Sequence, residues 1–189
     1  MNEKTSILFE SLKRTDTFIN SADLKASFTL AAGITFLGIY ASIFYNIATS
    51  DELSIPAPYL LSVLGLVLVP WVIWFIKVKK VFTPNVKSST NKSIISFASI
   101  IQTHESLEEF KQHYTTIKEQ DNIFTQSVEN DLLENHWICS DICMQKMNSF
   151  KSSLTFFWLS LVSSLLGISL LLFISQVNLI FELAIMQMT

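Results

Sequence analysis

The sequence predicts an all-α membrane protein with three transmembrane helices and a small helical cytoplasmic domain whose last helix is continuous with the third transmembrane helix. Three observations predict it. Half the residues are hydrophobic, only 15% are charged, and the mean hydropathy is +0.41, a balance rare in soluble domains. Three stretches, Ala26 to Ser50, Leu53 to Ile76 and Ser152 to Phe181, contain no Asp, Glu, Lys or Arg. Each is long enough to cross a hydrocarbon core roughly 30 Å thick, which needs about 20 apolar residues of helix. A lone strand would leave its amides unpaired in lipid, so the spans are helices. Finally, no Gly or Pro interrupts the chain between Asp121 and the third stretch.

The elements follow in order: a cytoplasmic amphipathic helix (1–25), a transmembrane helix (26–48), an external loop (49–57), a second transmembrane helix (58–76), a cytoplasmic helical domain (77–151), a third transmembrane helix (152–176) and an external apolar tail (177–189). All thirteen Lys and Arg lie before Ala26 or between Lys77 and Lys151. The loop around Asp51 and Glu52 carries no cation, and the tail carries only Glu182. The positive-inside rule therefore puts the N-terminus and the middle segment in the cytoplasm and the C-terminus outside. The late, long first apolar stretch, with acidic residues in its basic flank, does not read as a cleaved signal peptide.

Within residues 5–24, Ile7, Leu8, Leu12, Phe18, Ile19 and Ala22 recur at nearly helical spacing, and the segment is expected to run on into the first span. Pro56 and Pro58 suit the start of the second span, and Pro70 is expected to kink it. Trp71 and Trp74, followed by Lys77, Lys79 and Lys80, read as an aromatic belt with cationic anchors. Thr83 to Ser93 reads as a linker, and Ile94 to Ile101 fits helix or strand. Ser106-Leu107-Glu108-Glu109 is a capping box, so a helix is expected from Ser106 to about Thr116. Another should start near Asp121 and run as a rod of more than 40 residues into the third span.

Little points to catalysis. The four glycines, Gly33, Gly38, Gly65 and Gly167, all fall in the spans and read as helix-packing positions, with Gly38/Ser42 and Ser163/Gly167 four apart. The cytoplasmic domain therefore has no Gly-rich phosphate loop. His136, Cys139, Cys143 and Met147 form one helical stripe, which reads as packing surface rather than as a metal site or a disulfide. Glu108 and Glu109 suit capping and the helix dipole. The spans hold no ionisable side chain of the kind that pumps and coupled transporters use. Residues 81–150 carry five Lys against nine carboxylates, a balance of −4, which disfavours a nucleic acid polymer. Asp23 and Lys25 mark the edge of the first span, either as a snorkelling anchor and its counter-charge or as a contact with the cytoplasmic domain that couples it to the membrane.

Three pieces carry a resemblance: Ala22-Asp23-Leu24-Lys25-Ala26-Ser27 running into a span; Ile95-Ser96-Phe97-Ala98-Ser99-Ile100 followed by Ser106-Leu107-Glu108-Glu109-Phe110; and Asp131-Leu132-Leu133-Glu134-Asn135-His136-Trp137 through Lys146-Met147. In this order and topology the chain resembles the small membrane effectors of bacterial Pycsar antiphage systems over residues 15–175, departing at Ala98, where that family carries Gly. The resemblance implies a non-enzymatic effector of the bacterial inner membrane, functionally paired with a nucleotide cyclase. It implies a cytoplasmic sensor for cyclic CMP or cyclic UMP as activating ligand, with no other cofactor and no metal, and impairment of the membrane in response. Lys25, Lys92 and Lys146 are then candidates for the ligand's anion, and Asn135 and Trp137 for its base or sugar. A homo-oligomer is expected, because three uncharged helices do not line a water-filled path alone. The competing readings are an effector gated by a different, cyclic oligonucleotide signal and a membrane scaffold that docks a cytoplasmic partner. A reporter fused after Thr189 is expected to be active only if it matures outside the cytoplasm, and cytoplasmic activity there rejects the three-span topology.

Overall fold

The structure, a computed structural model, describes residues 3–50, 55–84, 92–119 and 121–186. Five helices occupy them: α1 (Glu3–Ala48), α2 (Ala57–Phe82), α3 (Phe97–Thr103), α4 (Leu107–Lys118) and α5 (Asp121–Met186). No strand occurs among the described residues, so the open reading of 94–101 resolves as helix from Phe97 onward, with Ser96 as the extended N-cap and residues 94–96 outside the helix. α1, α2 and α5 each contain a window apolar and long enough to cross a membrane. The loop carboxylates Asp51 and Glu52 and most of the expected linker lie outside the described residues.

α1 joins the amphipathic segment to the first span in one helix of 46 residues. Its threonines hold their hydroxyls on carbonyls four residues back, as Thr15 does on Ser11 and Thr35 on Ala31, which hides a polar group without a partner from another helix. α2 starts on the Pro56 carbonyl, which accepts from the Tyr59 N–H at 3.0 Å. It passes through Pro70, which lacks the N–H for the Leu66 carbonyl, and runs on to Phe82. α5 is one helix of 66 residues, about 100 Å long at 1.5 Å per residue. It extends through most of the expected tail, since nothing between Gln176 and Met186 breaks a helix.

The chain forms two compact units. One contains Leu24–Phe82 and the chain from Asn148 onward. Its core is Tyr40, Ile47, Val63, Val67, Trp71, Trp74, Val78, Phe157 and Leu171. Here the structure corrects the aromatic belt. Trp71 and Trp74 are 1% and 0% exposed, because they continue the α2 face that buries Val63, Val67, Val78 and Val81. Trp71 meets Trp74 and Phe157 edge-on, and its indole N–H donates to Ser164 Oγ at 3.0 Å, which lowers the cost of burial. The Lys77 ammonium lies 5.7 Å from the Phe156 ring centroid, a cation–π contact within this unit.

The glycines divide. A Cβ on Gly33 would overlap the Trp74 ring, and one on Gly167 would lie 2.8 Å from Val67 Cγ2. Gly38 and Gly65 have nothing within 4 Å of that position, so the packing expected of all four holds within the chain for two. The Trp74 ring is wedged between Trp71, Phe75 and Phe157 and cannot retreat cheaply. Gly33→Ala is therefore expected to destabilise this unit by about 1–3 kcal/mol, whereas Gly38→Ala leaves it unchanged or slightly more stable. Thermal unfolding of the two variants in nanodiscs checks the difference, and equal midpoints would contradict the packing.

Candidate functional site

The other unit contains the chain up to Asp23 and the stretch from Thr83 to Met147. Its buried side chains are largely polar: Ser93, Ser99, His104, Asp131 and Lys146 join Ala22, Leu132 and Cys143. Hydrogen bonds therefore specify its arrangement.

α1 and α5 run parallel in this unit. Ser11 Oγ lies 3.3 Å from His136 Nε2, Asp16 contacts the Cys139 thiol, and Asp23 meets Lys146. His136 and Cys139 of the expected packing stripe thus lie part-buried against α1 and Cys143 is buried, whereas Met147, the fourth member, is 51% exposed and does not pack. Burial, and then the negative charge of Asp16, push the Cys139 thiol up, which suits a packed thiol rather than a nucleophile. Among the described residues no three His, Cys, Asp or Glu side chains converge as a metal site requires.

At the end of this run, Lys146 Nζ donates to both oxygens of Asp23, at 2.5 and 2.7 Å. The Lys146 side chain is 8% exposed and that of Asp23 36%. Of the two readings of Asp23, the structure shows a contact with α5. An anion approaching Lys146 would have to displace a carboxylate. Lys25, two residues beyond Asp23, is exposed and belongs to the other unit.

A second polar cluster straps the chain after the linker onto α5. Asp131 Oδ2 accepts from Ser93 Oγ at 2.8 Å and from the Ile94 N–H at 2.6 Å. Ser93 Oγ in turn accepts from the amides of Ile95 and Ser96, at 3.1 and 2.9 Å. Asp131, 7% exposed, is satisfied by these donors and sets where Lys92 stands. Lys92 Nζ donates to Glu109 Oε1 at 2.7 Å. The capping box has one unexpected partner. Ser106 Oγ accepts from the Glu109 N–H, but Glu109 Oε2 reaches back to the N–H of Glu105 rather than that of Ser106. The Lys92 hydrogen bond, and then that amide, hold the Glu109 carboxyl below its ordinary value.

The α3–α4 corner closes on a histidine pair. His104 Nδ1 lies 3.1 Å from the Ile100 carbonyl, which can only accept, so Nδ1 carries the proton and Nε2 is the acceptor. His113 Nδ1, 3.2 Å away, is then the donor. Burial first, then His104 and Lys92, hold the His113 imidazole below its ordinary value, while Asp131 and Glu109 pull it upward.

Beside the strap, α5 lines an open groove of about 700 Å³ with Ser127, Asn130, Asp131, Leu133, Glu134 and Trp137, and Lys92 closes one side. Of the five sequence candidates the structure brings together Lys92 and Trp137. Trp137 is 73% exposed, so its ring is presented rather than packed. Asn135 turns to its own helix, donating to the Asp131 carbonyl at 2.9 Å, and Lys146 is held by Asp23. Ser127, Asn130 and Glu134 were missed. Their spacing of three and four marks one helix face, but only the strap shows that this face meets Lys92.

The groove combines an aromatic plane, one ammonium, and amide, hydroxyl and carboxylate groups. That set suits a small ligand with a flat ring and hydroxyls, and an anionic group on it would reach Lys92 only by displacing Glu109. It offers no nucleophile–base pair.

Removing Asp23 would leave the Lys146 ammonium buried and unpaired. Asp23→Ala is expected to cost roughly 3 kcal/mol, and Asp23→Ala with Lys146→Met to cost distinctly less, because no charge is then stranded. Denaturant unfolding of the wild type and both variants in nanodiscs measures this. A double variant as damaged as the single one would mean that the pair is not what holds the helices here.

No curated protein and no solved structure matches the chain. The family described as Pycsar effector protein domain matches residues 7–173, nearly all of both units. The chain therefore belongs to the Pycsar effector family and is an antiphage defence effector of membrane character, of the kind paired with a cyclase rather than a cyclase itself.

Proposed function

We propose that this effector senses a cyclic pyrimidine mononucleotide, cyclic CMP or cyclic UMP, in the groove between Lys92 and Trp137 and responds by impairing the bacterial inner membrane. The observation that supports this most is the groove itself, in a chain of this family. The base stacks on the exposed Trp137 ring, and the cyclic phosphate takes the Lys92 ammonium from Glu109. Asn130 and Ser127 offer hydrogen bonds to the base edge and the ribose. In this reading Lys/Arg placement keeps the groove in the cytoplasm, with the N-terminus inside and the C-terminus outside.

α5 carries both the groove residues and an apolar span, with no break between them. A ligand acts only through its differential affinity for two states. Shifting a 1:99 balance to 99:1 takes about 5.5 kcal/mol. One monoanion on one exposed ammonium falls short of that, so several occupied sites in a homo-oligomer act together.

Calorimetry on the full chain in nanodiscs, with cyclic CMP, cyclic UMP and a cyclic dinucleotide as probes, tests the reading. One cyclic mononucleotide should bind. Trp137→Ala should weaken it roughly 10- to 100-fold, the value of one stacked base. A Gly-Pro insertion after Ser149 should preserve binding while abolishing dye leakage from liposomes. Binding of the dinucleotide alone, or leakage that survives the insertion, would reject the respective part of the proposal.

A further inference from the structure

The buried face of α5 in this unit passes through Leu132, His136, Cys139, Cys143 and Lys146. Beside it lies a second line at Leu133, Trp137, Ser140, Met144 and Met147, where the steps alternate four and three. That is the a/d alternation of a coiled-coil seam. The four large side chains are 48%, 73%, 58% and 51% exposed, and none of the five positions carries a charge. This chain covers the first face and leaves the second open.

We propose that this seam pairs with the same seam of a second copy of the chain, parallel and in register, with the nucleotide groove at the edge of the contact. α5 is one helix to Met186 and holds an apolar span, so copies in one bilayer run in the same direction at the same depth. Parallel, in-register meeting then sets Leu133, Trp137, Met144 and Met147 against their own counterparts, with the small Ser140 between them. Glu134 and Asp141, each one position after a seam residue, stay off the line of contact.

Area argues for a second copy over a soluble partner. The four large side chains expose on the order of 400 Å² together, or about 800 Å² for a pair, where stable association from solution takes about 1,200–2,000 Å². A soluble helix docking here falls below that range. A copy confined to the same membrane plane needs less, because its effective concentration is already high. The shortfall makes the pairing conditional. Leu133 and Trp137 also line the groove, so a ligand seated there adds surface to the seam, and each favours the other by the same factor. Only this last coupling rests on the nucleotide reading.

The test uses the full chain in liposomes with Cys139 and Cys143 replaced by Ala, folding being verified by a thermal melt. Single cysteines are introduced as Ser140→Cys, on the seam, and Gln145→Cys, about a third of a turn away. A short bis-maleimide should link Ser140→Cys into dimers at least about tenfold more efficiently than Gln145→Cys. Adding cyclic CMP or cyclic UMP should raise that yield. Met144→Lys, outside the groove, should lower it about tenfold. Equal linking at both positions, no linking at position 140 with or without nucleotide, or indifference to Met144→Lys would overturn the seam. Selective linking at 140 that ignores every nucleotide would uphold the seam and reject the coupling to ligand.

Discussion

The parallel run of α1 beside α5, closed by the Asp23–Lys146 pair, is the constraint on which the unit built from the chain up to Asp23 and from Thr83 to Met147 depends. Three polar meetings set its register: Ser11 with His136, Asp16 with Cys139, and Asp23 with Lys146. Apolar packing alone would tolerate a slide of one helix along the other. An ammonium left 8% exposed would not, because any shift would strand its charge. With that register set, α5 turns one face to α1 and has two others to spend.

One of those faces takes the strap. Asp131 gathers the Ser93 hydroxyl and the Ile94 amide, and Ser93 gathers two further amides, so a single buried carboxylate organises the chain as it arrives from the linker. The cost of burying Asp131 is met by donors that come from residues far away in sequence. Lys92 and Glu109 follow from this placement, and the groove beside Trp137 follows from Lys92. The chemistry of the candidate site is thus a by-product of satisfying one carboxylate. The remaining face of α5 is left apolar and open.

The membrane unit obeys a different logic. Large residues of α2 fill the space left by Gly33 and Gly167, and Ser164 satisfies the one buried indole that reaches it. Serines along α5 return their hydroxyls to their own helix, as Ser160 does to Phe156, so they can be small without being costly. Tight aromatic packing around Phe157 supplies the dispersion that a hydrocarbon solvent does not take away.

The charge-free stretches, the Ser106 cap and the unbroken course of α5 were legible in the sequence, because each depends on residues within a few turns of one another. The spans follow from a count of consecutive uncharged residues against a fixed bilayer thickness. The cap follows from a hydroxyl three residues from the amide it accepts. Lys92 and Trp137 were legible as residue types suited to an anion and a base, but not as neighbours. Trp71 and Trp74 read as a belt because their place along α2 is visible in one dimension, whereas the face they turn to Phe157 is not. Lys146 looked like a free cation because its partner lies 123 residues away. Tertiary structure alone decided which carboxylate each lysine meets, since that choice belongs to helix register and to the desolvation of charges.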